Sequence, residues 1–111
     1  HGMQGKSLLP VLDGQKLPGR EALLIEEEGQ RCDYGMAQRM RLRTLRTATH
    51  RLTVYQGQDW GELYDLQNDP QELRNLWNAP DSQRTRHILS EALVQAMLKA
   101  VDESPCPTAS A

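Results

Sequence analysis

Between residues 38 and 56 the side chains change character at almost every step, a pattern that only extended chain can satisfy. Met40, Leu42 and Thr44 fall on one side of the backbone and Arg39, Arg41 and Arg43 on the other. After Ala48 and Thr49 the alternation resumes, with Leu52 and Val54 set against Arg51, Thr53 and Tyr55. A period of two, interrupted once by a short polar link, predicts a β-hairpin. An isolated hairpin is marginal in water, so further strands or a helix must cover its apolar face.

The flanking sequence supplies both. Residues 21–28 form a compact apolar run ending in Glu26, Glu27 and Glu28, with turn residues on either side, and predict a strand. Residues 60–66 predict a fourth, giving an antiparallel meander with one apolar and one arginine-rich face. Asp69, Pro70 and Glu72 match a helix start, which predicts one or two helical turns over residues 70–76. From residue 82 to about 102, Ile88, Leu89, Ala92, Leu93, Ala96, Met97, Ala100 and Val101 make a stripe at helical spacing. The expected fold is α+β: a four-stranded antiparallel sheet packed against one long C-terminal helix.

Three parts follow from this. Residues 1–20 hold Leu8, Leu9, Val11 and Leu12 among Gly5, Pro10, Gly14, Pro18 and Gly19, so they allow at most one helical turn. They form an irregular N-terminal docking arm whose leucines need a partner surface. Residues 21–102 are the folded unit. Residues 103–111, rich in Pro, Ser and Ala, form a tail expected to be disordered.

With 111 residues, 38% hydrophobic and 25% charged, the chain suits one globular domain, and without any Phe its core must be built from Leu, Ile, Val, Met, Trp and Tyr. A formal net charge of -2 argues against general nucleic-acid binding. No apolar run of about 18 residues is present to span a membrane. The first residues lack the charged and apolar regions of a signal peptide, and the sequence assigns no compartment. Cys32 and Cys106 match no metal-binding spacing; two ordinary thiols or a disulfide between them both remain open.

In order along the chain, four pieces resemble the C-terminal end of the type I sulfatases, a branch of the alkaline-phosphatase-like hydrolases. Residues 3–14, MQGKSLLPVLDG, are similar to the family's G-x-S-L-L-P-L-L-x-G stretch, and residues 20–26, REALLIE, to its next strand. Residues 43–55 resemble its R-T-x-R-Y-K-L-I-x-Y hairpin. Residues 62–76, ELYDLQNDPQELRNL, follow its E-L-Y-D-L-x-x-D-P-x-E-x-x-N-L signature almost letter for letter. The resemblance implies a protein that hydrolyses sulfate esters with a formylglycine made within C-x-P-x-R and a calcium ion held by Asp and Asn. Neither Cys32 nor Cys106 sits in that motif, and no Asp-Asp pair or Asp/His/Asn cluster offers the oxygen ligands calcium needs. Nucleophile and metal are therefore expected in an N-terminal catalytic domain outside this chain. That domain is the expected partner, and self-association through the docking arm is expected where it is missing.

Candidate functional residues are correspondingly few. Arg31 and Tyr34 lie in a polar loop leaving a strand, the kind of segment that carries binding groups on a rigid scaffold. Arg39 and Arg43 follow on the next strand, and guanidinium forks suit sulfate. These four are the substrate-rim candidates. The competing reading of the arginines, with Arg41, Arg46 and Arg51, is cross-strand pairing to Glu26, Glu27 and Glu28. His50 and His87 have no evident partner for proton transfer. Two further functions stay open: a free-standing module whose arginine face binds an anionic ligand or acidic partner, and a phosphonate or phosphodiester hydrolase of the same superfamily.

Overall fold

The computed structural model describes residues 7–16, 18–29 and 39–101. Arg31, Tyr34, Cys32, Cys106 and the tail lie outside them. The described chain forms the expected α+β unit. Four strands, β1 (Ala22–Glu28), β2 (Arg41–Thr47), β3 (His50–Tyr55) and β4 (Gly61–Asp65), pair antiparallel in the order β1-β2-β3-β4. A 3₁₀ turn, Pro80–Ser82, leads into the long helix, Gln83–Ala100. The docking arm contains a single helical turn, α1 (Leu9–Leu12), with Pro10 in its first turn where a missing N–H costs nothing. The long helix is α2.

The two-residue link between β2 and β3 is stitched by one side chain. Thr47 Oγ1 accepts from the backbone N–H of Thr49 at 3.2 Å and of His50 at 2.9 Å. This tight link sets Leu45 opposite Leu52 and Thr44 opposite Thr53. Directly opposed residues point to the same face, so the register decides which residues the helix covers. The α2 side carries Leu24, Leu45, Leu52 and Leu63, and with them Arg41, Arg43, Glu26 and Glu28. The open side carries Leu23, Ile25, Leu42, Thr44, Arg46, Arg51, Thr53, Tyr55, Glu62 and Tyr64. The expectation of one arginine-rich face is therefore corrected. The arginines are divided, two beside the helix and two on the open side, because Arg46 alternates with Arg41 and Arg43 within β2 and the short link sets Arg51 opposite Arg46.

Leu45, Leu52 and Leu63, all but sealed from water, meet Leu89 and Leu93 of α2 to form the core. Each such leucine contributes about 1.5–3 kcal/mol of burial. The stripe predicted on α2 needs one change. Ile88 is 54% exposed and Val101 turns out to solvent, while Leu89, Leu93, Ala96 and Met97 face the sheet. The helix contacts a narrow sheet, so only the strip around Leu89 and Leu93 is used.

Residues 70–76 are not helical. Asp69 Oδ2 accepts from the N–H of Arg74 at 2.8 Å, five residues on, instead of capping a helix, and Glu72 takes a left-handed φ of 57°. The segment instead runs beside β4 and closes its edge. Asn75 Oδ1 accepts from Leu63 N at 3.0 Å, its Nδ2 donates to Gly61 O at 2.9 Å, and Leu76 N donates to Leu63 O at 2.7 Å. Edge-strand hydrogen bonds outcompeted the local helix signal.

Candidate functional site

At the end of the sheet where β1 stops and β2 starts, a groove of about 530 Å³ opens between sheet and helix. Trp77, Val54, Leu93, Val94 and Met97 form its apolar wall, and Glu28, Arg41 and Arg43 its polar mouth. Gly29 N donates to Met40 O at 2.7 Å, which draws the two strand ends together here. Trp77 is seated tightly. Its ring packs on Gly61, where a Cβ would come within 2.5 Å of it, and the Arg86 guanidinium lies 4.7 Å from its centroid.

Arg43 is half-buried and engaged on every side. Its Nε stands 2.8 Å from Glu26 Oε1, one terminal nitrogen donates to Glu28 Oε1 at 3.1 Å, and the other donates to Leu42 O at 3.0 Å. The Nε contact is an ion pair without hydrogen-bond alignment. Arg43's hydrogen bond, followed by the charge of Arg41, holds the Glu28 carboxyl below its ordinary pKa. Arg41 keeps a longer contact, 3.6 Å to Glu28, and is largely exposed. Arg39 is exposed and makes no ion pair among the described residues. Anion-binding capacity therefore falls off from Arg39 through Arg41 to Arg43, whose charge is already matched.

A second polar cluster occupies the open face. Arg51 donates to Glu72 Oε2 at 2.6 and 2.9 Å, to Glu62 Oε2 at 3.0 Å and to Thr53 Oγ1 at 3.0 Å, and lies over the Tyr64 ring. Partial burial works against its charge, but the hydrogen bonds and charges of Glu72 and Glu62 outweigh it and raise its pKa. Desolvation, aided by Glu62, pushes the Tyr55 and Tyr64 phenols up, so both stay neutral. This is a closed structural network, with Thr44 and Thr53 hydroxyls 2.9 Å apart beneath it. Sequence reasoning missed it; the one available signal was that Arg51 and Glu62 lie on adjacent strands.

The sequence-predicted residues thus separate. Arg39 and Arg43 lie four residues apart around the start of β2, Arg43 held by Glu26 and Glu28 and Arg39 exposed without an ion pair among the described residues, while Arg31 and Tyr34 belong to the segment outside them. The ion pairs of Arg41 and Arg43 to Glu28 and Glu26 match the cross-strand pairing weighed against anion binding. His87 makes an exposed contact of 3.5 Å to Glu91, and His50 Nδ1 lies 2.9 Å from Thr49 Oγ1. His50 thus has a hydroxyl neighbour, and Asp65 stands opposite it on β4, whereas the contact of His87 is to a carboxylate alone. The groove wall around Trp77 had no sequence signal beyond one aromatic after Leu76. Among the described residues no group of three or more His, Cys, Asp or Glu side chains could hold a metal ion, so they do not fit the calcium that the resemblance implies. No helix there is long and apolar enough to cross a membrane.

No curated protein matches the sequence. Solved structures do. A Bacteroides thetaiotaomicron protein described as a sulfatase aligns at 25% identity with a TM-score of 0.74, covering 90% of this chain and 21% of that one. A 2-O GAG sulfatase aligns at 25% identity and TM-score 0.73, again over 90% of this chain and 21% of the other. The phosphonate monoester hydrolase of Agrobacterium radiobacter shares the fold at 24% identity and TM-score 0.72, over 91% and 22%. The chain thus spans about a fifth of the structures it matches. The family model described as "N-sulphoglucosamine sulphohydrolase, C-terminal" matches residues 1–99, nearly the whole sequence, and the chain belongs to that sulfatase C-terminal family.

Proposed function

We propose that this chain is the C-terminal subdomain of a sulfatase, where it completes the fold of a catalytic domain and borders its substrate cleft without supplying the nucleophile. The match of residues 1–99 to the sulfatase C-terminal family carries this reading. The exposed docking arm agrees with it. Leu8, Leu9, Val11 and Leu12 pack into no core of their own, as expected of side chains that meet a larger body. A free-standing module would have no use for them.

The formylglycine and calcium of the reaction belong, on this reading, to residues outside the chain. The substrate class is a sulfated saccharide, since the family description names sulphoglucosamine and one solved relative is a 2-O GAG sulfatase. Arg39, together with Arg31 and Tyr34, contributes to an anion-binding rim of the cleft. Arg43, clamped by Glu26 and Glu28, acts mainly as a strut that fixes the strand end. A rim guanidinium binds ground state and transition state nearly alike, so it affects KM more than kcat.

The test is sulfate release by the intact protein from a sulfated amino sugar, with a phosphonate monoester assayed in parallel. Sulfate release, with Arg39→Ala raising KM about 2- to 5-fold at unchanged kcat, is expected for an exposed charge contact. Turnover of the phosphonate alone would replace this reading with the phosphonate hydrolase. An unchanged KM would remove Arg39 from the rim.

A further inference from the structure

The two edges of the sheet are finished differently. β4 is closed along its outer side by Asn75 and Leu76. β1 pairs with β2 on one side and, among the described residues, with no strand on the other. Seven residues long and without proline, it has a row of backbone N–H and C=O groups on its outer side that no strand among the described residues pairs with. Native sheets usually blunt such an edge. Its first half is also apolar, with Leu23 and Ile25 44% and 45% exposed on the open face, while only its last three residues, Glu26 to Glu28, carry charge.

Charge indicates what completes it. Glu26 and Glu28 are matched by Arg43 and Arg41 across the β1–β2 pair. Glu27 points to the other face, with Leu23 and Ile25, and has no ion pair among the described residues. A second copy of β1 supplies no counter-charge. Centring an antiparallel pair on Ile25 sets Glu27 opposite Leu23, and sliding it toward the acidic end sets glutamate against glutamate. The fitting occupant is a strand whose apolar side chains meet Leu23 and Ile25 and whose lysine or arginine meets Glu27.

We infer that the free edge of β1 is completed by such a strand from the catalytic part of the same protein, joining the two bodies through backbone hydrogen bonds. The inference rests on the sulfatase reading above. Two observations point to that occupant: the exposed leucine turn lies nine residues before β1 in the sequence, and about four-fifths of each matched relative lies outside the span of this chain.

Hydrogen exchange resolved along residues 22–28 in the intact protein tests it. A completed edge protects every amide in the strand, whereas a free edge protects alternate amides only, those bonded to β2. Continuous protection that does not vary with protein concentration is the expected result. Alternate protection overturns the inference, and protection that grows with concentration assigns the edge to a second copy and overturns it too. Glu27→Lys should speed exchange of the outward amides at least about tenfold while leaving β3 unchanged; no change in β1 counts against the proposed cation. Failure here is separable from failure of the sulfatase reading. Normal sulfate release with alternate protection removes only the edge pairing, and full protection without sulfate release removes only the activity.

Discussion

Glu72 reaches out of a left-handed turn to set its Oε2 2.6 Å from Arg51, while its Oε1 lies 3.7 Å from Arg46. Arg46 and Arg51 stand directly opposite each other on β2 and β3, an arrangement of like charges that would otherwise be unfavourable. One carboxylate therefore bridges two arginines. The strained backbone is stabilised by what its side chain does.

Glu72→Ala should lower stability by about 2–4 kcal/mol, because it leaves a half-buried guanidinium with one carboxylate in place of two. Glu72→Gly removes the same contacts but relieves the positive φ, so it should cost about 1 kcal/mol less than alanine. Urea unfolding of the two variants checks the order; a glycine variant weaker than alanine would show that the turn carries no strain.

Asn75 should matter out of proportion to its size. Asn75→Ala leaves Leu63 N and Gly61 O without partners at the edge of the sheet. A loss of about 2–3 kcal/mol is expected, since buried backbone groups left unpaired cost roughly 1–3 kcal/mol each. The check is a fall in urea midpoint at constant slope.

Leu93→Ala and Ile88→Ala should differ sharply. Leu93 is buried against the sheet and should cost about 2–5 kcal/mol, whereas exposed Ile88 should cost about 0.5 kcal/mol or less. Equal shifts in thermal melting would show that α2 is rotated from the position described.

Acid should weaken the fold through two carboxylates. Asp65 is held below its ordinary pKa of 3.8 by hydrogen bonds from the side chain and backbone of Asn68, and Glu28 below 4.5 by Arg43 and Arg41. A depressed folded pKa gives stability that is present above the unfolded value and lost as pH falls through the folded one. Stability should therefore hold from pH 7 to about 5 and decline below about 4.5. Asp65→Asn should flatten that decline; an unchanged acid slope would remove Asp65 from the account.

Strands and the long helix were legible because alternation and helical spacing are local properties, and all five lie within three residues of their expected bounds at each end. The partition of arginines between faces was only partly legible, because the period of two already separates Arg46 from Arg41 and Arg43 but the face of Arg51 depends on the length of the β2–β3 link. The reading of residues 70–76 failed for a related reason. Asp69, Pro70 and Glu72 fit a helix start, but Asn75 and Glu72 have partners on β2, β3 and β4 that no local pattern announces. Ile88 was misplaced because apolar character on a helix marks a broad stripe, and a narrow sheet covers only part of it. Of the candidate site, the pairing of Arg43 with Glu26 was readable as an alternative, whereas the groove at Trp77 depends on tertiary packing alone.

The central claim is that this chain gives a sulfatase its architecture and rim but none of its covalent chemistry. The most direct measurement is kcat for sulfate release by the intact protein carrying Cys32→Ser, Cys106→Ser, His50→Ala and His87→Ala together, which removes both cysteines and two of the three histidines of this chain. A kcat within about twofold of the unaltered enzyme is predicted, whereas loss of one acid–base group typically costs about 10²–10⁴-fold. A loss on that larger scale, with the fold intact by circular dichroism, would contradict the claim and place the chemistry in this chain.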